Sequence, residues 1–384
     1  MTSPQAPEPG GAGVPRDPSW RPSARWLWAI PVVVAALVAT LLVGQRPDEG
    51  QAAAPENSSG PTLLPTGTSG EPAGLVRARQ LLGKPRSGGE WHSGIWAGGD
   101  TATGERAERF GRWRGSPVDA ITMYPATASW ETIKGSDWHI QTFATSPAVL
   151  SYGLPLLPQA PGSDLADVAQ GNHDEVFRTI ATLLKRFDRP RTIVRVGWEA
   201  NGSWFPWNAT AQTANTYKQA FRRVVHVMRG VAPDLIFDFD IGCGVELRGQ
   251  THRLDALTLL YPGDDVVDVI GCDTYDWHNT KSYDEATWQL TQRPVEAPGI
   301  ADVAEFARSR GKGLSFPEWG LASPAEGGVG DNPFFMAKMR GFLEANADIL
   351  VLECYFSEPT TSLANSIWSP DQNPRSSETY ARLW

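Results

Sequence analysis

The chain has 384 residues, 41% of them hydrophobic and 20% charged, with a formal net charge of −9. An acidic chain with no long basic run offers little to nucleic acid. Its six histidines are scattered, with no His-x-His or HExxH pair, so no metal or cofactor is expected.

The N-terminal quarter differs from the rest. Arg16, Arg21 and Arg25 precede an uncharged apolar run at 26–44. At about 1.5 Å per residue, that run is long enough to cross a hydrocarbon core of ~30 Å. The flanking arginines place residues 1–25 in the cytoplasm and everything after the run outside. A signal anchor is the expectation; secretion after cleavage near Ala52-Ala53-Ala54 is the alternative. Residues 45–85 are rich in Pro, Gly, Ser and Thr and lack periodicity, which predicts a flexible, disordered stalk. The folded domain is expected over 86–384. Only three cysteines exist, so a disulfide-dense scaffold is excluded. Cys243 and Cys272 end neighbouring candidate strands, and a bridge between them is one possibility.

Beyond residue 85, short apolar runs alternate with helical patterns. The strand candidates are 93–98, 119–124, 148–154, 192–199, 235–242, 266–275, 313–318 and 349–356. Between them, Val176, Ile180, Leu183, Leu184 and Phe187 keep a helical stripe, with Asn172 and Glu175 as an expected capping box. Tyr217, Phe221, Val224 and Met228 mark a second helix, and Asn332-Pro333 begins a third. Helices between the first three strands are poorly marked. Eight strands alternating with helices predict an α/β fold, a (β/α)₈ TIM barrel.

In such barrels the chemistry sits at the C-terminal strand ends. Glu199 closes the fourth candidate strand and Glu318 the seventh, so two carboxylates face one another across the mouth. That arrangement suits a pair flanking one glycosidic bond. Ile193, Arg195, Gly197 and Glu199 share a face by simple alternation, so Arg195 is expected below the site. There it either supports the nucleophile carboxylate or forms a structural ion pair with Glu199. Asp238 and Asp240 are read as inward structural residues. Asp273, Asp276 and Trp277 close the sixth strand, where sugar hydroxyl contacts are plausible. Thirteen of the sixteen tryptophans lie beyond residue 85; they are either core anchors or sugar platforms, and Trp319 is open between the two.

The segment Arg195…Glu199-Ala200-Asn201-Gly202-Ser203-Trp204-Phe205-Pro206-Trp207, with Pro317-Glu318-Trp319-Gly320 and Val269–Tyr275, resembles glycoside hydrolase family 26. This is the β-mannanase family of the clan of (β/α)₈ retaining glycosidases. The resemblance covers about 90–384. It implies Glu199 as acid/base and Glu318 as nucleophile, with Tyr275 bonded to the nucleophile. It also implies Trp204 and Trp207 along the sugar cleft, Asn201 in support, and a polysaccharide or oligosaccharide as partner. Three departures concern specificity, one being that the third candidate strand, 148–154, carries no histidine. Trp198 stands where the family usually has histidine, and Ala200 where it has methionine. A bulge at the end of the fourth strand is expected to turn Trp198 into the mouth. Mixed-linkage glucan, xylan and cell-envelope glycans remain alternative substrates. The reading from another class is a non-catalytic glycan-binding envelope protein on a hydrolase barrel.

Overall fold

A computed structural model describes residues 73–135 and 137–384. The expected cytoplasmic tail, the membrane segment at 26–44 and the stalk up to residue 72 lie outside the described residues. Among the described residues no helix is long and apolar enough to cross a membrane. The stalk boundary is corrected at its far end, because Ala73–Leu82 is a helix, α1. Its Leu75 and Ala78 are buried. Arg77 donates to the carbonyls of Pro233 and Leu235, and Arg79 to those of Ala347 and Asp348. Those carbonyls immediately precede two barrel strands. The helix therefore lies across the N-terminal end of the barrel, on the face opposite the strand ends that carry chemistry.

After α1 come β1 (His92–Trp96), α2 (Thr103–Arg114), β2 (Ala120–Met123), α3 (Trp130–Lys134), α4 (Asp137–Gln141) and β3 (Val149–Leu154). Next are α5 (Leu165–Gln170), α6 (Asp174–Arg186), β4 (Ile193–Val196), α7 (Ala214–Val231), β5 (Ile236–Gly242) and α8 (Asp255–Thr258). The chain finishes with β6 (Val269–Tyr275), α9 (Glu285–Gln292), α10 (Ile300–Arg310), β7 (Gly313–Gly320), α11 (Pro333–Ala345), β8 (Leu350–Phe356) and α12 (Pro374–Leu383). The eight strands pair in parallel in chain order, and β8 closes on β1. Each lies within a stretch expected to be a strand, except that β1 starts one residue earlier and β7 runs two residues past Glu318. Of the weakly marked early helices, α2 is a full helix of 12 residues, whereas α3 and α4 have five residues each.

One local expectation fails. The α6 stripe is buried at Val176, Ile180, Leu183 and Leu184, yet its N-cap is His173 and makes no side-chain cap bond. Asn172 is used instead to close α5. Its backbone N–H reaches the Asp167 carbonyl and its Nδ2 the Asp167 carboxylate, after Gly171 turns the chain at φ 90°. At α11 the expected cap is present, with Asn332 Oδ1 accepting from the Phe335 N–H at 3.1 Å.

Register partners on parallel strands share a face, and this defines the barrel interior. Arg195 pairs with Asp238, Asp240 with Gly271, Gly242 with Asp273, and Gly271 with Ser315. All are inward and essentially inaccessible, so the interior under the mouth is polar, as read for Asp238 and Asp240. The apolar core lies outside the strands, between sheet and helices.

Candidate active site

The turn after β4 brings the acidic residue into the mouth by strained backbone. Gly197 (φ 53°) and Glu199 (φ 51°) both adopt left-handed geometry, which costs roughly 1–2 kcal/mol for a residue with a side chain. Two hydrogen bonds hold the turn: Glu199 N–H to the Asp240 carbonyl at 3.0 Å, and Trp207 Nε1 to the Trp198 carbonyl at 2.8 Å. With alternation broken, Trp198 also reaches the active face. Its ring meets those of Tyr124, Phe205 and Trp207 at centroid distances of 5.1, 4.8 and 4.6 Å.

Glu199 is 7% exposed. Its Oε2 accepts the Trp204 indole N–H at 2.8 Å. Burial, then the nearby Glu318 charge, push its pKa up to about 8. An indole N–H can only donate, and a bare oxygen accepts it better than a hydroxyl, which favours Oε1, the oxygen beside Gly242, as the proton's place on Glu199.

Glu318 reaches the mouth because β7 departs from regular pairing. Register shifts between Phe316 and Trp319 reset the alternation. Pro317 is tied across the barrel by the Thr122 hydroxyl, which donates to its carbonyl at 2.8 Å. Tyr275 donates to Glu318 Oε1 at 2.5 Å, and Tyr124 donates to Oε2. Each oxygen thus has its own hydroxyl donor.

Beneath them lies Arg195, fully buried. It donates from Nε to Asp240 Oδ2 at 3.1 Å, from Nη2 to Asp273 Oδ2, and from Nη1 to the Tyr124 hydroxyl at 2.6 Å. A guanidinium has no acceptor atom, so the Tyr124 hydrogen must point to Glu318. The chain of bonds runs from Arg195 through Tyr124 to Glu318. Arg195 therefore supports Glu318 through Tyr124, and its ion-pair partners are Asp240 and Asp273, not Glu199. Burial pushes Asp240 up to about 6 and Asp273 well above the usual carboxylate range, with Arg195 opposing both.

The other candidates separate by exposure. Trp204 and Trp277 are partly exposed near the two carboxylates and have surface to offer a ligand. Trp207 and Trp319 are wholly buried, which corrects the cleft reading for Trp207 and makes Trp319, left open between platform and core, a core anchor. Trp319 Nε1 instead donates to Glu353 at 2.6 Å behind β7. Trp198, 4% exposed, is packed rather than open to the cleft. Asp273 is out of reach of a sugar, and so is Asp276, which accepts from Ala322 N–H and Asn332 Nδ2. Asn201 brackets Gly242, accepting from its N–H at 2.9 Å and donating to its carbonyl at 2.8 Å.

Tyr124 escaped the sequence reading. It ends a short strand with no motif around it, and only closure of the barrel brings β2 to Glu318. Tyr124→Phe is expected to lower kcat/KM by roughly 10–100-fold, the usual worth of a hydrogen bond to a charged group. It also strands the Arg195 Nη1 donor. Steady-state kinetics beside Tyr275→Phe measures this, and unchanged kinetics would dismiss the relay.

Residues 163–317 match the model of the family described as Glycosyl hydrolase family 26. A protein named mannan endo-1,4-beta-mannosidase from Bifidobacterium adolescentis is 34% identical over 138 residues, 35% of this chain and 13% of that protein. Endoglucanase H from Acetivibrio thermocellus is 30% identical over 128 residues, 32% of this chain and 13% of that protein. The matched part of the chain thus spans only 13% of either relative's length. The fold is shared with the catalytic domain of a Bacillus sp. JAMB-750 GH26 endo-beta-1,4-mannanase. That match has TM-score 0.58 and 16% identity, and covers 82% of this chain and 90% of that one. A modular endo-beta-1,4-mannanase from Cellulomonas fimi also has TM-score 0.58, with 19% identity, over 82% of this chain and 74% of that one.

Proposed function

We propose that this chain, which belongs to glycoside hydrolase family 26, hydrolyses a β-linked polysaccharide with retention of configuration, with Glu318 as nucleophile and Glu199 as acid/base. One observation carries the reading. A carboxylate with a hydroxyl donor on each oxygen faces a second, desolvated carboxyl whose pKa is raised to about 8. The first is built to carry negative charge and the second to hold a proton at neutral pH, the division of labour that double displacement requires.

In the first step the Glu199 Oε1 proton passes to the glycosidic oxygen while a Glu318 oxygen bonds to the anomeric carbon and the leaving group departs. In the second, Glu199 takes a proton from water as that water displaces Glu318. The Tyr124 and Tyr275 hydroxyls stabilise Glu318 as it regains its charge. Half-exposed Trp204 and Trp277 supply ring surface for the sugars.

The relatives' names make β-mannan the first substrate to test and β-glucan the second. Hydrolysis of mannan, mixed-linkage glucan, xylan and envelope glycans, with the product anomer followed by NMR, tests the proposal. Inversion, or no hydrolysis of any of them, would refute it.

The pH profile follows from Glu199. The acid is protonated below its raised pKa, so kcat/KM is expected to fall on the basic side near pH 8. A carboxyl whose folded pKa is raised contributes its stability fully below the unfolded value, and loses it as pH rises through the folded value. Glu199→Gln should therefore be increasingly more stable than wild type from about pH 4.5 to 8, by a few kcal/mol at most. Thermal melts across that range check the sign.

We also propose that the domain works outside the cytoplasm, tethered through 26–44. The buried Cys243–Cys272 disulfide suits an oxidising compartment. Helix α1 lies on the face opposite the mouth, and a tether joined there would leave the cleft open to a polymer. Protease added to intact cells should release the domain by cutting within 45–72; a fully protected domain would overturn the placement.

A further inference from the structure

The disulfide lies closer to the chemistry than a structural staple needs to. Cys243 directly follows Gly242, and Cys272 directly precedes Asp273; their Cα atoms are 5.6 Å apart. Gly242 forms the wall against the acid/base candidate: a Cβ added there would sit 3.5 Å from Glu199 Oε1 and 3.2 Å from Val245. Asp273 is one of the two carboxylates that hold Arg195. The Cys243 N–H donates to the Asp273 carbonyl at 2.9 Å, and Gly242 is the register partner of Asp273. The bridge thus ties the wall of Glu199 to the strand position that anchors Arg195. The other side of Gly242 is held by Asn201, two residues beyond Glu199. Gly242 is clamped between the turn of the acid/base residue and the disulfide. Both sulfurs are buried, with Cys243 2% and Cys272 0% exposed.

We infer that the Cys243–Cys272 disulfide is a positioning device for the catalytic pair: it keeps the Gly242 wall against Glu199, holding that carboxyl dry, and keeps Asp273 on Arg195. This rests on Glu199 being the acid/base residue. The free cysteine, Cys354, is buried elsewhere in the barrel, so the oxidised protein should show one thiol when denatured and the reduced protein three.

The test begins with the oxidised full chain, whose one-thiol count and activity are established first. Absence of activity on every polysaccharide at that stage would defeat the assignment of the site, not the role of the bridge. In Cys243→Ala/Cys272→Ala, kcat is expected to fall roughly 10-fold with KM within about 2-fold. The basic limb of the kcat/KM profile should move to lower pH, because water reaching Glu199 relieves its desolvation. An unchanged kcat and pH limb, with only a lower Tm, would make the bridge a staple and overturn the inference. The second measurement uses wild type reduced with dithiothreitol and then reoxidised, with thiol count, far-ultraviolet circular dichroism and activity read on the same sample. Activity lost as the count goes from one to three, with the spectrum retained and activity restored on reoxidation, supports the role. Full activity with three thiols, or loss of the spectrum together with activity, overturns it.

Discussion

Glu318→Ala is expected to abolish turnover of polysaccharide and activated aryl glycoside alike, by on the order of 10⁴-fold or more, because no covalent intermediate can form. Glu199→Ala should behave differently. Without its proton donor, substrates with poor leaving groups lose most of their rate, while an aryl glycoside with an acidic phenol loses little in the first step. The second step still lacks a base, so the glycosyl-enzyme should accumulate as an initial burst and be visible by intact mass. Small nucleophiles such as azide should then restore turnover in Glu199→Ala. Neither variant should lose its fold, since each carboxylate lies at the mouth rather than in the apolar core. Glu318→Ala with wild-type turnover on either substrate would end the assignment.

Arg195→Met is expected to destabilise the folded protein by about 3–5 kcal/mol at neutral pH, the usual result of removing one partner of a buried ion group. Asp240 Oδ1 and Asp273 Oδ1 already lack hydrogen-bond partners among the described residues; the loss of Arg195 would strand their Oδ2 atoms as well. Burial raises both carboxyls. Their neutral forms are therefore favoured at low pH, and their contribution is lost as pH rises through the folded values. The deficit should be smallest near pH 4 and widen towards pH 8. Chemical denaturation at several pH values reads this directly, and a deficit independent of pH would mean that Met fails by packing alone. The same variant should lose activity beyond its loss of stability, because the Tyr124 hydroxyl loses the donor that orients it towards Glu318. Arg195→Lys should recover little, since an ammonium cannot span Asp240, Asp273 and Tyr124 in one plane.

Much of this architecture was present in local pattern. The eight runs of β-branched and aromatic residues, the amphipathic stripes of α6 and α7 and the Asn332 cap required no knowledge of the fold, because strand and helix periodicity arise within a few residues. Glu199 and Glu318 were visible for the same reason: each ends an apolar run and is followed by turn residues. What the local pattern lacked was parity. Counting by twos from Ser315 points Pro317 and Trp319 inward, yet the register shift turns Glu318 in and sends Trp319 out to Glu353. Counting along β4 turns Trp198 outward, yet the left-handed backbone at Gly197 and Glu199 brings both Trp198 and Glu199 to the mouth. The helix at Ala73–Leu82 was hidden as well, because a short segment flanked by Pro and Gly reads as linker until a barrel end is there to cover it. Tyr124 belongs to the same class, and the Cys243–Cys272 bridge was open only as one possibility. Their partners lie 194 and 29 residues away, and no local preference encodes such a contact. Periodicity and turn chemistry are short-range, so the sequence by itself determined which residues form strands and which carboxylates end them. Which side chains share the mouth, and how each is held, followed from barrel closure and from bulges whose cost is offset only by contacts made across the completed fold.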